Sequence, residues 1–454
     1  MQFESVNPAT GLLLERYDEH SAIEVDEKIK LADAAYRLWR DTTYSHKAQL
    51  LHRAADELRT RREDYARMMT LEMGKPITQS RAEADKCAWV CDWYADNAEQ
   101  ILAKEILNSD ASESYVRFDP IGAVLAVMPW NFPFWQVFRF AAPALMAGNT
   151  GLLKHASNVP GCALMIEDVF RRAGFPEGCF QTLMIGSASV QGVIDNPAIA
   201  AVTLTGSESA GSHVASQAGR RLKKTVLELG GSDPFIVLED ADIKAAARVG
   251  ASARMLNTGQ SCIAAKRFIV MDAVAEQFTS LFVQAVEGMR LGDPLLDATE
   301  IGALAREDLL LDLDAQVRAS VELGAELLTG GRRQDGPGVY YLPTVLTNVR
   351  KGMPVFDEET FGPVAAVIVV RNEEEAIAAA NDSPFGLGAS LWTRDLDRAS
   401  RLARQIESGG VFVNGLVKSD PRLPFGGIKR SGYGRELSHY GIREFVNIKT
   451  VWVA

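Results

Sequence analysis

The chain has 454 residues, of which 47% are hydrophobic and 24% charged, and its formal net charge is −11. This length is too great for a single core, so we expect two or three domains of ordinary globular composition. The negative charge argues against nucleic acids and anionic membranes as partners, because both attract a cationic surface.

The sequence also argues against membrane insertion, secretion and a metal site. No uninterrupted run of about eighteen apolar residues occurs, and the stretch MQFESVNPATGLLLERYDE is acidic where a secretory signal would be basic. We therefore expect a cytoplasmic protein. The cysteines are odd in number, which disfavours a disulfide framework: Cys87, Cys91, Cys162, Cys179 and Cys262. Cys87 and Cys91 have no nearby Cys or His that would complete a zinc site, so we expect no metal.

Residues 22–104 have apolar residues at helical spacing. EVDEKIKLADAAYRLWR predicts one helix, and HKAQLLHRAADELRTRREDYARMMTLEMG predicts a second that ends at Gly74-Lys75-Pro76. The following segment, which interleaves Cys87 and Cys91 with two tryptophans, predicts a buried helix.

From residue 120, short apolar runs alternate with helical patterns. The predicted strands are PIGAVLAVMPW, GLLKHA, QTLMIG, AAVTLTG and KTVLEL, and the helices between them include GCALMIEDVFRRAGFPEG and ESAGSHVASQAGRRL. This alternation is typical of a parallel sheet covered on both faces, with ligands beyond the carboxyl ends of its strands.

A second alternating block begins near residue 231. Its predicted strands are DPFIVLED, RFIVMDA, YLPTVLTNV and PVAAVIVV, with helices such as ADIKAAARVGASARML between them. Residues 105–118 and the terminal EFVNIKTVWVA are β-like tracts outside both blocks. Because strands at chain ends often pair across subunits, we expect a homodimer or homotetramer.

Three residues are candidates for cysteine chemistry, which needs a nucleophile, an oxyanion stabiliser and a base. LNTGQSCIAAKR presents Cys262 after a Gly-containing turn, TVLELGGSDPF puts Glu228 at a strand end, and VMPWNFPFWQVFRF puts Asn131 just past a strand. Taken singly, a lone cysteine is more often a core residue. Glu228 alone fits a salt-bridged strand end equally well, and Asn131 alone fits a turn or helix cap.

Together these motifs resemble the aldehyde dehydrogenase superfamily, from Asn7-Pro8-Ala9-Thr10-Gly11 to the C-terminus. PWNFP, TLTGS, LELGGSDP, NTGQSC, EETFGPV and PFGGIKRSGYGRE occur in the family's order and at its spacings. Within the superfamily the chain most resembles the short bacterial succinic semialdehyde dehydrogenases.

The resemblance and the alternating pattern together imply an α/β fold of three parts. A Rossmann-like parallel-sheet domain for the dinucleotide would comprise residues 1–104 and 121–230. An α/β catalytic domain would comprise residues 231–438, and a small β oligomerisation element would comprise residues 105–120 and 439–454.

The resemblance also implies a nicotinamide-dependent oxidation of an aldehyde to an acid. Cys262 would attack the aldehyde to give a thiohemiacetal, with the oxyanion between the Asn131 amide and the Cys262 backbone N–H. Hydride transfer to the nicotinamide would leave a thioester, which water activated by Glu228 would hydrolyse. The glutamate distinguishes the chain from acylating relatives, which pass the thioester to coenzyme A.

No G-x-G-x-x-G follows the first strand of the parallel block, so the cofactor residues are inferred from the resemblance. Thr205-Gly206-Ser207 would open a helix whose amides face the pyrophosphate. Glu359 and Phe361 would hold the nicotinamide ribose and ring, and Trp130 would line the cofactor cleft.

The segment LLKHASN favours NADP over NAD. By resemblance, Lys154 bonds the adenosine ribose, and Ser157 stands where NAD-specific members carry a glutamate. A hydroxyl does not repel a 2′-phosphate and can donate a hydrogen bond to it, while Lys154 supplies a cation.

Arg139 lies in an apolar run and needs an anionic partner, for which a structural carboxylate and a substrate carboxylate are both open. By resemblance, Arg139 would hold the carboxylate of succinic semialdehyde, Ser419 would assist, and Trp135 would form an apolar wall. Leu256 stands where related enzymes often have a second arginine. Phe140 stands where many members have a lysine that relays protons to a later glutamate, which disfavours a relay role for Glu436.

Other functions stay open at this point. Another ω-carboxylated aldehyde, such as glutaric semialdehyde, or a broad range of aliphatic aldehydes is the nearest alternative. Outside the class, a thiol hydrolase or a non-catalytic structural relative is disfavoured, because no histidine motif accompanies Cys262 and the set of Cys262, Glu228 and Asn131 is complete.

Overall fold

The computed structural model describes residues 2–454 and contains both sheets and helices throughout the chain. The helices are α1 (Ala22–Trp39), α2 (Tyr44–Thr60), α3 (Arg62–Met73), α4 (Ile77–Ile101), α5 (Trp135–Ala147), α6 (Pro160–Ala173), α7 (Val190–Asp195), α8 (Glu208–Arg220), α9 (Ile243–Met255), α10 (Asp272–Glu287), α11 (Glu307–Glu322), α12 (Pro354–Asp357), α13 (Glu373–Asn381), α14 (Leu396–Ala403) and α15 (Ser438–Arg443). The strands are β1 (Gln2–Val6), β2 (Leu13–Asp18), β3 (Glu105–Ile106), β4 (Glu113–Pro120), β5 (Ala123–Met128), β6 (Thr150–His155), β7 (Phe180–Thr182), β8 (Ile199–Thr205), β9 (Lys224–Glu228), β10 (Asp233–Val237), β11 (Ala265–Met271), β12 (Glu326–Thr329), β13 (Thr344–Thr347), β14 (Val364–Val370), β15 (Phe385–Gly386), β16 (Gly388–Trp392), β17 (Gly410–Val413), β18 (Ile428–Lys429), β19 (Gly432–Tyr433) and β20 (Val446–Val453).

A six-stranded sheet has the order β19-β9-β8-β5-β6-β7. Its strands run parallel except β19, which pairs antiparallel with β9. The central strands are almost wholly apolar and buried, because helices cover both faces of the sheet. At the carboxyl edge, Thr205 pairs with Glu228 and Met128 pairs with His155. This edge therefore collects the polar residues that follow β5, β6, β8 and β9.

A seven-stranded sheet has the order β12-β13-β14-β11-β10-β16-β17. It is parallel except for β12, which pairs antiparallel with β13. Its two faces pack into separate hydrophobic clusters, one with α11 and α14 and one with α9 and α10. The catalytic cysteine candidate, Cys262, lies three residues before β11, which is the central strand of this sheet.

A three-stranded antiparallel sheet, β20-β4-β3, lies outside both larger sheets. Its long pair joins residues 113–120 with residues 446–453 in continuous register. Most side chains of β20 are exposed, and its outer edge pairs with no strand in residues 2–454.

The predicted alternation of strands and helices is confirmed, and three local differences have physical causes. The single helix predicted over residues 46–74 is wrong, because the chain turns at Arg61 (φ −107°) and forms α2 and α3. The predicted stop is confirmed: Gly74 ends α3 with φ 82°, and a Cβ there would lie 2.8 Å from the Ala303 carbonyl oxygen. The β1–β2 hairpin and strands β16 and β17 were not predicted; all four strands are short, and all except the buried β16 are partly exposed.

In residues 2–454 no helix combines the length and apolar character that a membrane crossing requires.

Candidate active site

The loop before Cys262 is a tight left-handed turn. Asn257, Thr258 and Gly259 all have positive φ, at 57°, 55° and 74°. A Cβ on Gly259 would lie 2.2 Å from the carbonyl oxygen of Gly362, so only glycine fits this position. Two consecutive non-glycine residues in this region are strained, and such strain persists only where the surroundings impose it. The predicted Gly-containing turn is confirmed, and Cys262 follows it, partly exposed.

Lys266 anchors the same loop from inside the protein. Its side chain is buried, and Nζ donates to the carbonyl oxygens of Ser261 (3.0 Å), Cys262 (2.9 Å) and Ala264 (3.3 Å). Nζ also lies 3.6 Å from a carboxylate oxygen of Glu359. Burial lowers the pKa of Lys266, and the Glu359 carboxylate acts against that shift. One ammonium thus links the cysteine loop to a carboxylate expected at the cofactor.

Asn131 follows β5 and faces the cysteine loop. Its side-chain Nδ2 donates to the Gln260 backbone carbonyl oxygen at 3.2 Å, and the Asn131 backbone carbonyl oxygen accepts from Asn257 Nδ2 at 2.7 Å. A primary amide has two N–H hydrogens, so one remains for another acceptor. Asn131 and Cys262 line the same cavity, which is the arrangement that an oxyanion site between them requires.

Glu228 ends β9 in a buried position, as the sequence predicted. Neither of its carboxylate oxygens accepts a hydrogen bond within residues 2–454. Burial raises the pKa of Glu228, Glu436 raises it further, and Arg139 opposes the shift. The carboxylate is near enough to Cys262 to raise the pKa of the thiol electrostatically.

Arg139 has the anionic partner that its apolar surroundings demanded. Its guanidinium forms an ion pair with Glu436, and both side chains are buried. The guanidinium carbon lies 4.6 Å from the Phe425 ring centre, and Nη2 donates to Thr205 Oγ1 at 3.3 Å. The structural carboxylate that the sequence left open is therefore present, although Arg139 also lines a cavity beside Cys262.

Two cavities meet at Cys262. The α5 cavity, of about 290 Å³, lies against α4 and α5; the edge cavity, of about 360 Å³, lies at the carboxyl edge of the six-stranded sheet. Cys262 and Gln136 line both. Residues 2–454 contain no cluster of three or more His, Cys, Asp or Glu side chains arranged to hold a metal.

The edge cavity has the groups that a dinucleotide requires. Its walls include Trp130, Thr205, Gly206, Ser207, Glu359 and Phe361. Ser207 caps α8 by accepting from the Ala210 N–H, so the positive end of that helix faces the cavity. The Trp130 and Phe361 rings meet edge to face, with centres 5.8 Å apart. Six of the eight cofactor residues inferred from the resemblance thus line one cavity.

Lys154 and Ser157 lie at the end of β6, beside β5 in the same sheet. Lys154 is half-buried, burial lowers its pKa, and it has no hydrogen-bond or ion-pair partner in residues 2–454. Ser157 is exposed and lines a small separate pocket rather than the edge cavity. An uncompensated lysine next to an exposed hydroxyl suits an anionic group.

The α5 cavity brings together Trp135, Arg139 and Ser419, and the wall also includes Leu256. The sequence reasoning missed Lys86 on α4, which lines this cavity too. Lys86 Nζ donates to Ser419 Oγ at 2.8 Å and lies 4.1 Å from the Trp135 ring centre. Helical spacing carried a signal for it, because position 86 adjoins the buried face of α4.

The pKa of the Cys262 thiol is shifted by burial and by these neighbours. Burial raises the pKa of Cys262 to about 12, while Arg139 and Lys266 lower it and the carboxylates of Glu359 and Glu228 raise it. The thiol is therefore protonated at neutral pH and needs a base, or a nearby charge change, before it can attack.

Comparisons with known proteins agree with this geometry. Residues 1–451 match the aldehyde dehydrogenase family. The chain is 56% identical, over the full length of both, to a probable NADP-dependent succinate-semialdehyde dehydrogenase of Synechocystis sp., and 50% identical, again over both full lengths, to succinate-semialdehyde dehydrogenase [NADP(+)] 1 of Mycobacterium tuberculosis. It superposes on succinic semialdehyde dehydrogenase of Streptococcus pyogenes in complex with NADP⁺ with a TM-score of 0.97, at 38% identity over 99% of each chain. The resemblance and the fold class expected from the sequence are confirmed: the chain belongs to the aldehyde dehydrogenase family.

Proposed function

We propose that this enzyme oxidises succinic semialdehyde to succinate, with NADP as the preferred cofactor. The single observation that carries the proposal is the position of Cys262 at the meeting point of two cavities with different linings. The edge cavity suits a dinucleotide, and the α5 cavity is apolar with cations in its wall. The names of the Synechocystis and Mycobacterium tuberculosis relatives specify this substrate and NADP(+), which supports the same assignment.

The edge cavity would hold the cofactor through the residues that line it. The α8 N-terminus and Thr205 would face the pyrophosphate, Glu359 the nicotinamide ribose, and Phe361 and Trp130 the ring. Bound NADP⁺ supplies the acceptor for the hydride. Lys154 and Ser157 would meet the adenosine ribose and its 2′-phosphate, where a carboxylate would be repelled.

Cys262 would act as the nucleophile, with Asn131 and the Cys262 backbone N–H as oxyanion donors. Attack on the aldehyde forms the C–S bond of a thiohemiacetal, and after oxidation the acyl group stays on sulfur as a thioester. Glu228 would take a proton from a water molecule as the water oxygen adds to the thioester carbon. The C–S bond then breaks and the acid is released. The proton passes from Glu228 to the Cys262 thiolate. The raised pKa of Glu228 suits this role, because it strengthens the base.

The α5 cavity would take the carbon chain of the substrate and its carboxylate. Trp135 provides an apolar wall, while Arg139 and Ser419 lie at the polar side of the same cavity. The apolar lining also explains why glutaric semialdehyde or a neutral aliphatic aldehyde is the second candidate, since each can enter such a cavity.

A kinetic panel tests the proposal. Purified enzyme is assayed with succinic semialdehyde, glutaric semialdehyde and butanal, each with NADP and NAD and without coenzyme A. A charged contact contributes about 10- to 150-fold in kcat/KM, so succinic semialdehyde should exceed butanal by at least that much. Equal values for the two aldehydes, or a requirement for coenzyme A, would contradict the proposal.

The proposal extends to the assembly and its setting. We assign residues 1–104 and 121–230 to the cofactor domain, residues 231–438 to the catalytic domain, and residues 105–120 and 439–454 to a subunit interface. The exposed β20 strand supports a homo-oligomer. All five cysteines are free, which supports a reducing, cytoplasmic location.

A further inference from the structure

Three cations line the α5 cavity, and they differ in how far their charge is already balanced. Arg139 is paired with Glu436 inside the protein. Lys418 is exposed at the rim. Lys86 is half-buried and lies on α4, directly across from Ser419.

The Lys86 ammonium has no carboxylate within 4.0 Å in the described residues 2–454. The two carboxylates whose charge reaches it most strongly, Glu83 and Asp420, are each paired with another cation. Glu83 forms a buried ion pair with Lys75, and Asp420 lies 2.7 Å from the Arg422 guanidinium. Lys86 is therefore a cation of the cavity wall that no adjacent carboxylate balances.

We propose that Lys86, together with Ser419, is the residue that binds the substrate carboxylate. The inference rests on the proposed function and adds a residue to it. Lys86 Nζ points into the cavity that also contains Cys262, so an aldehyde with a carboxylate at its far end can reach both.

The geometry around Lys86 prepares it for a carboxylate. Its stem packs on Trp135, with Nζ 4.1 Å from the ring centre, and Nζ donates to Ser419 Oγ at 2.8 Å. An ammonium has three N–H groups, so two remain for a carboxylate. The Ser419 hydroxyl accepts from Lys86, which leaves its own O–H free to donate to the same carboxylate.

Arg139 is less suited to be the principal partner. Glu436 contacts Nε of this guanidinium and Thr205 accepts from Nη2, so a substrate carboxylate would meet the remaining donors of a cation whose charge is already paired. A second anion near buried Glu436 would also add repulsion. Arg139 thus holds Glu436, while Lys86 makes the principal contact with the substrate carboxylate.

Lys86→Met is the principal test, because methionine keeps the apolar stem over Trp135 and removes the charge. We expect kcat/KM for succinic semialdehyde to fall about 10- to 150-fold, mainly through KM, with kcat/KM for butanal unchanged within about twofold. Competitive inhibition by succinate, measured with butanal as the varied substrate, should weaken by a similar factor. Lys86→Arg should restore most of the discrimination, and Lys244→Met, the matched loss of an exposed lysine outside the cavity wall, should not change it.

The pH dependence gives a second readout. Burial, and then Arg139, lowers the pKa of Lys86 to about 8, against opposing effects of Cys87, Glu83 and Asp420. Lys86 is charged below that pH and neutral above it, so the ratio of kcat/KM for succinic semialdehyde to that for butanal should fall as the pH rises through about 8. The ratio cancels titrations shared by both substrates, and Lys86→Arg should keep it flat because arginine stays charged.

The outcomes separate this inference from the proposed function. If wild-type enzyme does not discriminate between succinic semialdehyde and butanal, the proposed substrate is wrong. If wild type discriminates and Lys86→Met discriminates equally, the substrate stands and the role of Lys86 is overturned. Equal losses in Lys86→Met and Lys244→Met would show that the total charge of the protein matters rather than a specific contact, which also overturns the role of Lys86.

Discussion

At the scale of single residues, one guanidinium serves two carboxyl groups behind Cys262. Arg139 pairs with Glu436, and Glu228 lies close enough to share its influence. Burial raises the pKa of both carboxyls, and Arg139 offsets only part of that shift. Because one cation cannot balance two buried anions, the pair of Glu228 and Glu436 carboxyls retains a proton at lower pH. Glu228 becomes an effective base as the pH rises.

Loss of Arg139 should destabilise the protein through Glu436. Arg139→Met leaves a buried carboxylate without its counter-charge, and we expect a loss of about 3–5 kcal/mol in the free energy of unfolding near pH 8. The double variant Arg139→Met/Glu436→Gln should recover part of this loss, since the orphaned charge is removed. Chemical denaturation of the two single variants and the double variant measures the coupling. Additive effects would show that the ion pair does not link the two residues energetically.

Ser157 should govern the choice between NADP and NAD. Ser157→Glu places a carboxylate near the expected 2′-phosphate site, beside the unpaired Lys154. We expect the NADP/NAD ratio of kcat/KM to fall by at least about tenfold, through repulsion of the phosphate and binding of the ribose hydroxyls. Ser157→Ala is the control, because it removes the hydroxyl without adding charge. An unchanged ratio in Ser157→Glu would exclude Ser157 from cofactor selection.

At the scale of elements, the cysteine loop depends on a strained turn and a buried ammonium. The turn at residues 257–259 fixes the direction in which the chain enters Cys262, and Lys266 holds three carbonyl groups of the loop. Lys266 also lowers the pKa of the thiol. The loop is therefore positioned and activated from the same side.

Lys266→Met should disturb both effects. We expect kcat to fall about 100-fold for succinic semialdehyde and butanal alike, because the nucleophile is displaced for every substrate. The rate of Cys262 alkylation by iodoacetamide at pH 8 should also fall, since the pKa of the thiol rises when the nearby cation is lost. Lys244→Met, on the exposed face of α9, is the control for simple loss of a lysine. If the alkylation rate stays normal while kcat falls, Lys266 positions the cysteine loop but does not activate the thiol.

Sequence patterns predicted those parts of the fold and site that local chemistry determines. The apolar strands of the six-stranded sheet, the Gly74 helix stop and the turn before Cys262 all have local signals. The break at Arg61 depends on long-range packing, so periodicity alone could not place it. Helical spacing could put Lys86 beside the buried face of α4, but it could not show that Lys86 shares a cavity with Cys262. The pairing of Arg139 with Glu436 joins residues almost three hundred positions apart, and no spacing rule connects them.

At the scale of the whole molecule, the three-stranded sheet leaves an apolar surface open. Ile448 and Trp452 lie on one face of β20 and are 62% and 53% exposed, and Ile106 on β3 is 60% exposed. Exposed apolar side chains concentrated on an unpaired edge strand are typical of an interaction surface.

Ile448→Lys/Trp452→Lys should therefore prevent assembly. We expect light scattering coupled to size-exclusion chromatography to show a dimer or tetramer for wild type and a monomer for the double variant, because two charges would be desolvated at the interface. Leu222→Lys is the control, since Leu222 is 95% exposed at a site remote from this sheet in sequence and topology. An unchanged mass for the double variant would locate the interface elsewhere.

The small strand β19 has a consequence for how the enzyme is made. It is the last strand of the six-stranded sheet to be synthesised, and it covers β9 opposite Glu228, more than two hundred residues after that glutamate leaves the ribosome. Domains emerging from the ribosome generally fold in order from the N-terminus. The β9 edge of this sheet, however, stays unpaired until the whole seven-stranded sheet has been synthesised. A nascent chain that already contains Asn131, Glu228 and Cys262 therefore still lacks the strand that pairs beside Glu228. Translation must run almost to its end before this sheet can be completed.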